Sequence, residues 1–203
     1  MYASVPAMST GKRAATYQDV LDAPEHMVAE IVDGELFLSP RPAAPHAVAY
    51  SQLGAQIITF FGGDGPGPIG PGGWLVLDEP ELHLGPDIMV PDVAAWRRER
   101  LPRAPRAAFI SLAPDWVCEV LSPSNTRLDR TRKMPAYARH GVGHAWLVDP
   151  LAQTLEVFRL ESSRWVLLGT HAGDAPVAAE PFETVPLPAA RWWADVEPAE
   201  AVG

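Results

Sequence analysis

The sequence predicts an α/β protein built on a central mixed β-sheet flanked by helices. Three observations carry that prediction. Short apolar runs rich in β-branched and aromatic residues recur along the chain, two longer segments place apolar residues at helical spacing, and the two kinds of segment are interleaved. The order reads helix, hairpin, helix, several strands, helix, three strands, with no internal repeat. A length of 203 residues fits one domain. The expected organisation is a loose N-terminal arm over 1–15, a single domain over 16–185 and a Pro/Ala/Glu-rich C-terminal tail over 186–203.

Taken in order, TYQDVLDAP from Thr16 suggests a short helix capped by Thr16. AEIVDGELFLSP alternates apolar and polar residues on both sides of Asp33-Gly34, the pattern of a tight hairpin. In PHAVAYSQLGAQIITFFGG the residues Val48, Leu53, Ile57, Ile58 and Phe61 recur at helical spacing up to Gly62-Gly63. Residues 63–73 are a glycine- and proline-rich loop. WLVLDEPELHL reads as strand broken at Pro80, IMVPDVAAW (88–96) as one further strand, and RRERLPRAPRAAF as a basic connector. DWVCEVLS (115–122) is an apolar strand with a glutamate inside it. NTRLDRTRKMPAYARHG is helical up to Gly141, and HAWLVD, TLEVFRL and RWVLLGT form an antiparallel meander. Trp192 and Trp193 are expected to pack on the core.

Composition narrows the function. At 47% hydrophobic and 20% charged the chain is globular, and no apolar run approaches the ~20 residues that span a bilayer. The first fifteen residues lack the apolar core of a secretory signal, and Cys118 is the sole cysteine, so a reducing cytoplasm is the expected compartment. A net charge of −9 argues against a general nucleic-acid binder. Between Arg97 and Arg139, however, ten basic residues stand against four acids, a local excess able to meet phosphates.

Two acids stand where acids are costly. Asp92 follows Pro91 in an apolar run, and Glu119 lies between Cys118 and Val120. Carried to one end of a sheet by neighbouring strands, they would form a hard-oxygen site suited to Mg²⁺ or Mn²⁺. The plainer alternatives are a solvent-side Glu119 and an Asp92 that caps the turn after Pro91. In the helix that follows, Asp129, Lys133 and Tyr137 are four apart and share a face, as a surface ion pair would or as a lysine aimed back at the two acids. Lys133 stands out because fourteen of the sixteen basic residues are arginine and the other lysine is Lys12. An ammonium is a compact charge able to sit by phosphate and water and, unlike a guanidinium, able to lose its proton.

The runs PDVAAW and PDWVCEVLSPSNTRLDRTRKMPAYARHGVGHAWLVDP, with EIVDGELFLSP and PHAVAYSQL upstream, resemble the Uma-two family of restriction endonucleases, within the PD-(D/E)XK nuclease superfamily. The resemblance spans roughly residues 16–170. It implies a restriction-endonuclease-like core and a metal-dependent endonuclease that hydrolyses phosphodiester bonds in DNA with Mg²⁺ or Mn²⁺. Asp92 matches the aspartate of the proline-aspartate motif and Glu119 the glutamate of the E-x-K motif. Leu121 stands where the superfamily lysine would be, and Lys133 matches the helical lysine that replaces it. Glu30 matches a hairpin glutamate that joins Asp92 and Glu119 in holding metal. His46 matches the family's histidine, and Asp129, four residues before Lys133, is a further accessory. Of two proline-aspartate pairs, Pro91-Asp92 is preferred to Pro86-Asp87, which reads as a turn. Pro135 is expected to kink or split the helix carrying Lys133. Two cuts in a duplex would favour a homodimer. The alternative is a catalytically inactive nuclease-fold module that binds nucleic acid or another partner.

Overall fold

The structure, a computed structural model, describes residues 13–197. Most of the expected N-terminal arm and the last six residues of the expected tail lie outside the described residues. The first helix, α1 (Tyr17–Leu21), begins after Thr16, whose N–H and hydroxyl both donate to the Asp19 carboxylate. The hairpin follows as β1 (Met27–Val32) and β2 (Glu35–Pro40). Asp33 (φ 55°) and Gly34 (φ 75°) are both left-handed, the geometry of a two-residue turn that suits the twist of its strands. The long helix α2 (Ala44–Phe61) buries Ala49, Leu53, Ile57 and Phe61.

Strands β3 (Trp74–Asp78) and β4 (Leu82–Leu84) are separated at Pro80, as expected. The single strand expected over 88–96 is instead two, β5 (Asp87–Met89) and β6 (Val93–Arg97), which belong to different sheets. The cause is local. Pro91 has no N–H for a ladder. Val90, just before it, donates its N–H to Glu30 Oε1 at 2.8 Å and accepts from Lys133 Nζ at 3.0 Å. Side chains thus satisfy the backbone where the chain leaves one sheet for the other.

The central sheet is mixed and has six strands, in the order β10-β9-β8-β7-β6-β3. It is completed by β7 (Trp116–Val120), β8 (His144–Asp149), β9 (Thr154–Glu161) and β10 (Arg164–Ala172). Among the strand pairings of the described residues the β7–β8 pairing alone is parallel, and β8-β9-β10 is the expected meander. A second sheet, absent from the sequence-based expectation, has the order β2-β1-β5-β4.

Between β7 and β8 the chain crosses over as α3 (Thr126–Leu128), a π-helical turn (Asp129–Lys133) and α4 (Met134–Arg139). Pro135 does not split this helix. The Met134 N–H donates to the Asp129 carbonyl five residues back, so one widened turn precedes the proline and absorbs its missing hydrogen bond and its bulk.

Alternation along β7 divides the core. Trp116, Cys118 and Val120 pack with α2, Trp192 and Trp193, the last two lying in α5 (Ala190–Trp193). Val117 and Leu121 face the other way, toward Met134, Ala136, Tyr137 and the small sheet's Val32, Leu82 and Met89. Glu119 shares that second face by period, and it points into the junction of both sheets with the crossover helix.

Candidate active site

The site residues are delivered by several elements. Glu119 is the fourth residue of β7 and is 2% exposed. Asp92 lies immediately before β6. Its Oδ2 accepts the N–H of Val120 at 2.6 Å and lies 3.2 Å from His46 Nε2. The β6–β7 ladder runs only to Val93–Cys118, so the Asp92 carboxylate continues it with a side chain, one residue from Glu119. Glu30 comes from β1, His46 from the first turn of α2, and Asp129 and Lys133 from the two ends of the π-helical turn. All six are buried.

The Lys133 amine is where these elements meet. Nζ lies 2.9 Å from Glu30 Oε1, 2.9 Å from Glu119 Oε1 and 3.8 Å from Asp129 Oδ1, and it donates to the Val90 carbonyl. Tyr137 donates its hydroxyl to Glu119. A cleft of about 50 Å³, room for a few waters, opens above them. Beyond the six residues its polar lining is Ser39, Glu79, Ser122, Ser124 and Asn125.

The electrostatics are lopsided: three buried carboxylates surround one ammonium, and a fourth, Asp92, lies beside them against His46. Burial raises the Glu119 carboxyl well above the usual range. Lys133 opposes the rise, and Asp129, Asp92 and Glu30 add to it by repulsion. Asp129 is pushed up to about 7 by burial, with Lys133 opposing and Glu30 and Asp92 reinforcing. Burial pulls the Lys133 amine down, but Glu119 and Glu30 outweigh it, with help from Tyr137 and Asp129, and hold the amine charged well above the ordinary lysine value. The ease of proton loss that distinguishes lysine from arginine is therefore not what this setting exploits. What it exploits is a compact, buried cation.

Among the described residues no three His, Cys, Asp or Glu side chains converge closely enough to ligate one ion, because the Lys133 amine stands between Glu30 and Glu119. The donor chemistry nonetheless fits a hard divalent cation. The acids offer only oxygen, their charge exceeds the cation present, and two of the three buried side-chain polar atoms without a partner among the described residues, Asp129 Oδ2 and His46 Nδ1, belong to this group.

The structure brings together the six residues singled out in the sequence, and adds to them the backbone of Val90 and the serines of the rim. Leu121 is buried in the apolar cluster, so the amine arrives from the helix and not from β7. Asp87 lies apart, at the start of β5, where it accepts from His140, Arg139 and the Asp33 N–H. The basic excess over 97–139 is largely answered by acids, several of them from outside that span: Arg98–Asp64, Arg100–Asp115, Arg130–Glu156 and Arg132–Glu35 are ion pairs.

A mixed sheet that gathers an Asp, a Glu and a Lys beside a crossover helix defines a restriction-endonuclease-like protein. The chain belongs to the Uma2 family, described as "Putative restriction endonuclease", which matches residues 14–190. Its fold is also that of a solved structure from Anabaena variabilis, titled a putative nuclease belonging to DUF820. The two are 24% identical with a TM-score of 0.69, over 89% of this chain and 98% of that one. No curated protein matches the chain. Among the described residues no helix is long and apolar enough to cross a membrane.

Proposed function

We propose that this protein is a metal-dependent endodeoxyribonuclease. Asp92 and Glu119, with Glu30, would hold a Mg²⁺ or Mn²⁺ ion, and Lys133 assists the attacking water from the helix. The observation that carries this reading is the buried excess of carboxylate around the single ammonium of Lys133. When bound, a divalent cation offsets charge on the phosphoryl oxygens and acidifies water. The chain's own groups do the positioning. The Val120 N–H fixes the Asp92 carboxylate, Tyr137 orients Glu119, and the Val90 carbonyl with Glu30 and Glu119 aims the Lys133 ammonium. An ammonium so held donates hydrogen bonds to water or to a phosphoryl oxygen, and it stabilises the charge that builds as the phosphorus–oxygen bond breaks. His46 and Asp129 complete the floor.

The test is cleavage of supercoiled and linear DNA with Mg²⁺ or Mn²⁺, on variants that keep the wild-type near-UV circular dichroism. Asp92→Asn, Glu119→Gln and Lys133→Met should each lower the rate by about a hundredfold or more. A Lys133→Met protein that cleaves at the wild-type rate would remove the lysine from the mechanism. A wild type that neither cleaves nor binds Mn²⁺ in calorimetry would leave the inactive nuclease-fold module as the reading.

A further inference from the structure

The Lys133 amine sits on oxygens that the nuclease reading assigns to a divalent cation. Nζ lies 2.9 Å from Glu30 Oε1, 2.9 Å from Glu119 Oε1 and 3.0 Å from Glu119 Oε2, and it donates to the Val90 carbonyl at 3.0 Å. An ammonium has three N–H groups. Glu30, Glu119 and Val90 therefore use its whole donor capacity. Any donation to water or to a phosphoryl oxygen takes an N–H from one of them. A second cation between Glu30 and Glu119 would meet the ammonium at contact distance and repel it.

One acceptor stands in reserve. Asp129 Oδ1 is 3.8 Å from Nζ, beyond hydrogen-bond range, and Asp129 Oδ2 is buried with no partner among the described residues. A buried carboxylate oxygen left unpaired calls for a reason. Asp129 and Lys133 are the two buried residues of the π-helical turn, and both line the cleft. Widened turns of this kind recur at functional sites. A movement of about 1 Å brings the amine into hydrogen-bond range of Asp129. The flexible four-carbon stem of a lysine allows it.

We propose that Lys133 is a two-position cation, which bridges Glu30 and Glu119 at rest and passes to Asp129 when a divalent cation takes those two acids. Asp129 is then a positioning residue that acts through the amine, not a metal ligand. The inference rests on the nuclease reading and deepens it, because the shift frees N–H groups for the substrate. The test is Mn²⁺ calorimetry on the full chain without DNA, run as a double-mutant cycle. Lys133→Met should bind Mn²⁺ about tenfold more tightly than wild type, since no amine has to be displaced. Asp129→Asn should bind it about tenfold more weakly, and the same change should cost far less in the Lys133→Met background. Equal losses in both backgrounds would make Asp129 a ligand and overturn the proposal. So would a Lys133→Met protein that binds Mn²⁺ no more tightly than wild type. If neither protein bound Mn²⁺, the nuclease reading would fall and this inference with it. A second measurement needs no variant to fold. Lys12 and Lys133 are the two lysines of the chain, so isotope labelling of the lysine side-chain nitrogen gives two amine resonances. Saturating Mg²⁺ should move the Lys133 resonance of the wild type. A resonance that stays in place in protein shown by calorimetry to bind Mg²⁺ overturns the proposal and leaves the nuclease reading standing.

Discussion

Two charged clusters join the small sheet to the crossover helix, and they differ in one respect. At one end of β5, Asp33, Glu35 and Asp87 meet Arg132, Arg139 and His140, and acids and bases balance. At the other end, Glu30, Glu119 and Asp129 share Lys133, and Asp92 lies beside them against His46. Burial pushes Asp87 up, but His140, the Asp33 N–H and Arg139 outweigh it and hold the carboxyl below its ordinary range. Glu119 and Asp129 go the other way. A balanced cluster can fasten two elements without any further partner. Three buried acids on one amine, with a fourth against a histidine, are a poor fastening, since each uncompensated charge costs stability. An arrangement unfavourable to folding but suited to receiving a cation is what a site, not a clasp, looks like.

The strongest way to break this comparison is to delete the amine. In Lys133→Met the acids lose their cation, and a broken buried pair costs up to about 5 kcal/mol. The loss should be greatest above neutral pH, where the acids ionise, and smaller near pH 5. Urea unfolding at several pH values measures it. A loss below about 1 kcal/mol at every pH would mean that the amine is not what compensates these acids.

Next in size is a pH effect of definite sign. The Asp129 carboxyl rises from 3.8 to about 7 on folding. A raised carboxyl pKa favours the protonated native state, so its contribution is complete below about pH 4 and is lost as pH rises to about 7. The slope amounts to up to about 4 kcal/mol across that window. In metal-free protein Asp129→Asn should flatten it, and wild-type stability should regain part of the loss on adding Mg²⁺. Equal pH dependence in the variant and the wild type would contradict the charge excess.

Much of this was legible in the sequence, for physical reasons that can be named. The hairpin at Asp33-Gly34, the helix over 44–61 and the strand around Glu119 announce themselves by period and by turn chemistry. Acids inside apolar runs mark Asp92 and Glu119, and spacing by four places Lys133 and Tyr137 on one face. The break between β5 and β6 was not legible, because an apolar run through one proline reads equally as one strand or two. The widened turn before Pro135 leaves no side-chain pattern, since it is a slip of backbone hydrogen bonds. Val90 acts through its N–H and carbonyl, which every residue but proline has. The pairing of the arginines leaves no local signal because several of their acids are distant in sequence, Arg132 meeting Glu35 across almost a hundred positions.

The smallest effect sharpens the comparison most, because it predicts the opposite sign. Asp87→Asn removes the charge from the balanced cluster but keeps the shape of the side chain. Hydrogen bonds to a buried charged group contribute about 1.5–3 kcal/mol, so a loss in that range is expected at neutral pH. A depressed carboxyl pKa stabilises the native state above the ordinary aspartate range, and this stability is lost as pH falls through and below it. The variant should therefore differ from wild type at pH 7 and converge with it in acid, whereas Asp129→Asn should differ most at neutral pH by being the more stable. Because Asp87 lies outside the proposed active site, DNA cleavage per folded molecule should stay at the wild-type level. If Asp87→Asn abolished cleavage while remaining folded, the two clusters would be one functional unit and the division between clasp and site would fail.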